Sequence, residues 1–371
     1  MAVQPKLLRV LQDGVVERVG SNRRREVSIR LVSTTNTARA VRELEARHGV
    51  EHLAPEGGNA MRSTASRVVL CCTLLLAGPS VQPSLARPPD VCKVTTRAAI
   101  RACEMRARSA GTISAGKCAN VSDAAARKLC RENAAADTKD ALATCNDQRA
   151  VRKTACARLG SHAYDPVIDP GNFVATIDHP FFPLVPGTTF VYESQTPDGL
   201  EHDEFAVTHN TRVIMGVTCT EVHDTVTTNG VLTEDTLDWF AQDVNGNVWY
   251  FGESTHELAD GLISTIDGSF MGGVNGAKPG IVMEAHPAIG DFYRQEFDLG
   301  NAEDFAEVVG LSDSVTVPYG SFTNCLDTRE TTPLEPDLHE HKFYAAGVGD
   351  VLETDEDTGA RTELIQVKTG Q

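Results

Sequence analysis

Apolar positions follow three regimes along the 371-residue chain. The first is a single unbroken apolar run, VVLCCTLLLA at residues 68–77, preceded by Arg62 and Arg67 and followed by the small-x-small triplet Ser84-Leu85-Ala86. Ten helical residues rise only about 15 Å, half of a hydrocarbon core of about 30 Å, which disfavours a transmembrane anchor. A positive front, an apolar centre and a small-residue site in that order predict a signal peptide over residues 61–86, starting at Met61. A buried core helix is the alternative for a run of this length.

The second regime is rich in Ala, Arg, Lys and Cys and predicts helices over 93–108, 122–135 and 137–159, with Ser122 and Asp137 as N-caps and Gly111 and Gly160 as stops. Pro166, Pro170, Pro180, Pro183 and Pro186 then punctuate a linker over 161–187. From residue 188 the β-branched and aromatic residues take over, and strands are expected at 188–193, 213–226, 236–242, 247–252, 291–297, 314–317, 323–329, 341–345 and 362–367. Asn229-Gly230 and Asn245-Gly246 are hairpin cues between them, so residues 188–371 read as an antiparallel meander forming a barrel or a sandwich. Trp239, Trp249, Tyr250 and Phe251 are expected to fill its core or line a mouth.

Charge divides the chain in the same places. Residues 87–157 carry 14 Lys+Arg against 7 Asp+Glu, a net +7, whereas residues 158–371 carry 8 against 37, a net −29. The acidic part would be repelled by phosphates, so nucleic acid and anionic membrane are excluded as its partners. The opposite signs predict that the basic module docks on the acidic domain, through an attraction that salt screens.

Two of the ten cysteines, Cys71 and Cys72, fall in the apolar run. The other eight form no C-x-x-C pair and suit disulfides in an exported chain. Cys92, Cys103, Cys118, Cys130, Cys145 and Cys156 are spaced by 11, 15, 12, 15 and 11 residues. Eleven residues bring a helix back to nearly the same face, so two antiparallel helices would align Cys92 with Cys156 and Cys103 with Cys145, leaving Cys118 for Cys130. Six cysteines allow 15 pairings, so the geometry expresses a preference among them. Cys219 and Cys325 are expected to form the fourth bridge.

Residues 4–36 read QPKLLRVLQDGVVERVGSNRRREVSIRLVSTTN. This stretch resembles the middle of the AAA+ domain of bacterial sigma-54-dependent transcription activators. The resemblance implies that LVSTTN is the sensor strand, with Asn36 at its polar tip near a nucleotide's terminal phosphate. The nucleotide chemistry itself is missing, because no G-x-x-x-x-G-K-[ST] occurs in the chain. Residues 1–60 are therefore expected to be an incomplete AAA+ fragment that buries too little surface to fold alone, with translation starting at Met61. Further on, DWFAQD, GNVWYFGE, VTVPYGSFTNCL and EHKFYAAGVG give residues 188–350 a resemblance to a family of uncharacterised secreted bacterial proteins. That resemblance implies no activity.

Candidate chemistry is sparse. His339 and His341 flank Glu340 and would share one face of a strand, an arrangement that metal sites use. Asp243, Asn245 and Asn247 reproduce half of a calcium loop, but position 12 is Ser254 instead of Glu, and a hairpin turn explains them better. There is no G-x-S-x-G, and His256-Glu257 lacks the second His of H-E-x-x-H. Taken together, the sequence predicts a mainly β protein preceded by a disulfide-stapled helical module (87–160) and an AAA+ remnant. Its expected function is that of an exported, non-enzymatic binding or structural protein of the cell envelope or extracellular space, without a cofactor or a membrane anchor after cleavage. The alternatives are a sigma-54-dependent regulator resting on the N-terminal fragment and a metal-assisted secreted hydrolase acting through His339 and His341.

Overall fold

The computed structural model describes residues 90–370 and, before them, only strands β1 (Val15–Glu17) and β2 (Arg24–Glu26). The chain forms two compact units, Met1–Gln82 and Pro83–Gln371. Within the first, β1 and β2 pair antiparallel. The expected signal peptide at 61–86 and the sensor-like Asn36 lie outside the described residues.

The second unit begins with two helices, α1 (Val91–Cys118) and α2 (Ala124–Leu159), where three shorter ones were expected. Asp90 and Asp123 are the N-caps, their carboxylates accepting the amides of Lys93 at 3.0 Å and Ala126 at 2.7 Å. Gly111 does not end a helix. A Cβ there would stand 2.1 Å from Thr138 Oγ1, so glycine serves the close approach of the two helices. Asp137 likewise lies within α2, in a run of good helix formers that nothing interrupts. The helices are held as an antiparallel hairpin by Cys92–Cys156, Cys103–Cys145 and Cys118–Cys130, the pairing favoured by the spacing. The buried residues of the two helices are mostly small, Ala99, Ala107, Ala134 and Ala155 beside Ile100, while Met105 and Leu129 are exposed. So thin a core leaves the bridges a large share of the stabilisation, at about 2–4 kcal/mol each.

The rest of the unit is β structure. Residues 161–187 pack along the sheet: Tyr164 donates to the Pro279 carbonyl at 2.8 Å, Val174 N to the Gln242 carbonyl, and β3 (Ile177–His179) pairs with β4 (Phe182–Leu184). The main sheet has fifteen strands. One meander comprises β5 (Thr188–Thr196), β6 (Gly199–Ile214), β7 (Val217–Thr228), β8 (Val231–Gln242) and β9 (Val248–Ala259), with β10 (Leu262–Thr265) and β11 (Phe270–Met271) attached to β9. A second comprises β15 (Phe305–Val317), β16 (Gly320–Thr331), β17 (His339–Ala345), β18 (Gly349–Asp355) and β19 (Arg361–Thr369). Pairing of β19 with β5 joins the two. Asn229 and Gly230, with φ of 51° and 79°, make the β7–β8 turn that the sequence signalled.

Neither end of this ladder is paired to the other as a strand, so the sheet is not a closed barrel. The chain itself spans the gap. β12 (Lys278–Met283) follows β9 and pairs with β14 (Glu296–Phe297), while β13 (Phe292–Arg294) pairs with β15, and only Gln295 separates β13 from β14. The two ends are tightly apposed here, since a Cβ on Gly280 would stand 2.3 Å from the Gln295 carbonyl carbon. No helix among the described residues is long and apolar enough to cross a membrane.

The sheet carries a hydrophobic cluster on each face. Val207, Val222, Phe240, Val248, Met283, Leu326, Val351 and Leu364 belong to the larger, inner one. Trp239, Phe251, Ile214, Val217 and Cys219 form an outer one, against which Ile168 and Phe173 of the proline-rich segment pack. Adjacent Trp239 and Phe240 thus point to opposite faces, as strand alternation requires. This division corrects the expected fourth bridge. Cys219 on β7 and Cys325 on β16 are free and buried, one in each cluster, with five strands between their own. A disulfide needs Cα atoms within about 7 Å and converging Cβ vectors, which this placement denies them.

The helical hairpin rests on the sheet through basic residues of α2. Arg152 forms an ion pair with Glu303 at 2.8 Å, both side chains only 4% exposed. Arg158 reaches Glu307 at 3.0 Å and stacks over Phe292, and Gln148 donates to the Leu334 carbonyl. The docking that the opposite charges predicted is therefore present, through a few specific pairs.

Candidate functional site

Inward-facing side chains of the sheet leave a cavity of about 250 Å³. Cross-strand neighbours build its walls: Tyr192 opposite Asp203, Phe205 opposite Asp224, and Phe240 opposite Tyr250 on one side, Lys342 opposite Glu353 and Tyr344 opposite Asp350 on the other. Asp238, Glu296, Asp304 and Glu330 complete the polar lining, and Phe182, Pro183 and Leu184 of β4 add apolar surface. Asp203 and Phe205, Asp238 and Phe240, and Lys342 and Tyr344 are each two residues apart, the period that places both members on the same face of a strand.

Eight carboxyl groups line this space with one ammonium, Lys342. The amine stands 3.1 Å from Glu353 and 3.6 Å from Glu330. Burial opposes its charge, but Glu353 and Glu330 outweigh burial and hold its pKa well above that of an exposed lysine. Burial also opposes the charge of Glu353, and Lys342 overcomes it, so this carboxyl titrates below the ordinary range. Elsewhere burial prevails. It raises Asp203 to about 10 and Asp224 to about 6, and the two carboxyls share a hydrogen bond. Asp304 is raised to about 6 and Glu253, just behind the wall, to about 7, again chiefly by burial. Asp238 and Glu296 are pushed well above the carboxylate range for the same reason. Tyr250 donates to Asp238 at 2.5 Å and lies 3.1 Å from Glu253, and Gln295 donates to Glu330 at 2.8 Å. The Glu296 carboxyl, 7% exposed, makes no hydrogen bond or ion pair among the described residues.

The sites suggested by sequence lie elsewhere. His339 and His341 do share a strand face, but it is the one opposite Lys342. His341 is held at both nitrogens, Nδ1 to Asp327 at 2.7 Å and Nε2 to Glu356 at 2.8 Å, and His339 Nδ1 lies 3.1 Å from Asp357. Glu356 also takes a bidentate contact from Arg329, at 2.9 and 2.8 Å. The nitrogens of His341 are engaged in an ion-pair network, and among the described residues no group of three or more His, Cys, Asp or Glu is placed to hold a metal. Asp243 is a turn organiser, its carboxylate accepting the backbone amides of Asn245 and Asn247 and the side-chain N–H groups of Asn247 and Trp249. Of the wall, Tyr250 was singled out by sequence as a core or mouth residue, whereas the acids were not, although Asp224 and Asp238 sit beside β-branched or aromatic residues of a strand and Asp203 two residues before Phe205, which was the available signal.

Fold and cavity together define a mainly β protein with a carboxylate- and aromatic-lined interior and a disulfide-stapled helical hairpin at its side. Residues 1–49 match the family model of the sigma-54 interaction domain. No curated protein matches the chain. Among solved structures, the chain is similar to a "putative lipoprotein" from Parabacteroides distasonis at 15% identity, covering 51% of this chain and 98% of that one, with a TM-score of 0.29. A likeness that slight carries no argument about fold or function. Three structural disulfides are compatible with an extracellular or envelope location.

Proposed function

We propose that the chain, exported by the leader at residues 61–86, is a non-enzymatic binding protein of the envelope or extracellular space that holds a small molecule inside the β unit. The observation that carries this reading is the cavity itself, whose walls present polar and aromatic groups where a sheet interior of this size would otherwise be filled by aliphatic side chains. Those groups are built on strands, which hold a constellation more firmly than loops do. The disulfide-bearing hairpin supports export, and the match at residues 1–49 supports no regulatory role without the phosphate-binding loop. The hydrolase alternative would have to use His341 while Asp327 and Glu356 hold both of its nitrogens, which favours the binding reading.

The test is thermal unfolding of the purified chain, disulfides intact, against small amines, neutral alcohols and carboxylates, repeated on Thr362→Phe, which fills the cavity. At least one class should raise the melting temperature of the wild type and lose most of that effect in the variant. If no class shifts the transition, or if the shift is the same in the variant, the reading is wrong.

A further inference from the structure

We propose that the ligand of this cavity is a small organic cation, an amine carrying an aromatic or aliphatic body. The inference rests on the binding reading above and names the class of molecule bound. Three independent features of the wall support it.

The first is charge. Eight carboxyl groups face one ammonium already spent on Glu353 and Glu330, and those that burial holds protonated can give up a proton to a neighbour or to water when a cation arrives beside them. The second is an acceptor left without a donor. Glu296 lines the cavity while more than nine-tenths buried, and no hydrogen bond or ion pair reaches its carboxyl. Burial disfavours the charge of this carboxyl, and an N–H donor brought in by a ligand would offset that cost. The third is the aromatic surface. Phe240 and Tyr250 stack with centroids 4.8 Å apart, and Tyr192, Tyr344 and Phe205 stand near them, offering ring faces that attract a desolvated cation.

An inorganic ion fits these walls poorly. Its ligands must converge within about 2.0–2.6 Å, and no described cluster of three or more acidic or imidazole groups does so. The carboxyls are instead spread around a space that would hold about eight waters at about 30 Å³ each, which suits a molecule of the size of tyramine or putrescine.

A matched set of probes tests the class: tyramine as the cation, tyrosol as its neutral counterpart, 4-hydroxyphenylacetate as the anion, with putrescine and calcium chloride alongside. Calorimetric titration at pH 8, where Asp224 and Asp304 carry charge, should show tyramine or putrescine binding and the other three not. Glu296→Gln should weaken the amine about tenfold or more, the worth of one hydrogen bond to a charged group. The variant should melt no lower than the wild type without ligand, because it replaces a carboxyl that has no partner. Should it nevertheless fold poorly, Asp238→Asn provides the second reading of the same loss. Tyrosol binding as tightly as tyramine would overturn the cation class and leave the cavity reading standing. Displacement of tyramine by calcium would overturn it in favour of a metal site, and amine binding unchanged in both variants would place the amine outside the cavity.

Discussion

Arg152→Met tests how the helical hairpin is held to the sheet. Arg152 and Glu303 are each 4% exposed and 2.8 Å apart, so their interaction is not screened as a surface pair would be. Burial alone lowers the Arg152 pKa and raises that of Glu303, each partner opposing the shift in the other. Removing the guanidinium strands Glu303 as a buried charge, and the carboxyl escapes by taking up a proton. From an ordinary value of 4.5, holding it neutral at pH 7 costs about 3.4 kcal/mol, at 1.36 kcal/mol per pH unit. That agrees with about 3–5 kcal/mol for breaking a buried pair from one side. At pH 5 the same step costs only about 0.7 kcal/mol, so the penalty should shrink sharply. In Arg152→Met/Glu303→Gln both charges of the pair are gone, neighbouring Arg294 keeps its place over the Phe297 and Phe305 rings, and the Gln carbonyl can still accept from Gly300 N, as Glu303 does at 2.6 Å. The double variant should return to within about 1 kcal/mol of the wild type. Urea unfolding followed through Trp239 and Trp249 at both pH values measures all three chains. A single-variant penalty that is equal at pH 7 and pH 5, or a double variant no better than the single, would refute the reasoning.

Other outcomes follow from the same structure. Non-reducing peptide mapping should find three disulfides and two free thiols, with Cys219, whose thiol burial pushes up to about 12, alkylated only after unfolding. Removing one rung with Cys103→Ala/Cys145→Ala should cost about 2–4 kcal/mol in thermal or chemical unfolding. Arg329 and then His341 hold Glu356 down at about 2, so its contribution to stability is present above pH 4.5 and is lost as pH falls towards 2. His341 is raised by Glu356 and Asp327 against burial, so its contribution is present below pH 6.5 and is lost as pH rises through its folded pKa. His341→Gln should therefore flatten the alkaline side of the stability profile, and an unchanged profile would count against the pair. The protein recovered from its host should begin at or near Arg87, which intact mass determines.

The helical hairpin was legible because its cysteines report geometry directly: a spacing that reads 11 and 15 and then 15 and 11 favours an antiparallel register, which the bridges adopt. The strands around the cavity were not. Most of β6, GLEHDEFAVTHNTRVI, and all of β18, GDVLETD, lie outside the strands that the sequence predicts, since neither shows clean apolar alternation. Their inward positions hold Asp203, Asp350 and Glu353, so the side that should have looked greasy is acidic. The rule that strands bury their apolar face fails where the buried face lines a polar cavity. For the same reason the candidate site was invisible: in a domain with 37 acidic residues, nothing in one dimension separates those that point inward from those bathed by solvent. His339 and His341 stood out only because histidine is rarer. Gly111 and Asp137 misled because a contact made by a neighbouring helix is not written in the local sequence.

The link through Gln295 bears on how the molecule moves. Three residue pairs tie β13 to β15 and two tie β14 to β12, against eight or more along the long hairpins. A wall fastened so lightly along one line behaves as a zip fastener whose slider is the segment 292–297. The long hairpins can each form from neighbouring sequence, whereas this segment finds its place only when both meanders already stand, so it belongs to the last and slowest part of folding. In the native state it is correspondingly the first part to open, and its amides should exchange with solvent ahead of those in β6–β8. Glu296 rides on that slider, so each local opening would carry its carboxyl from the cavity wall towards water.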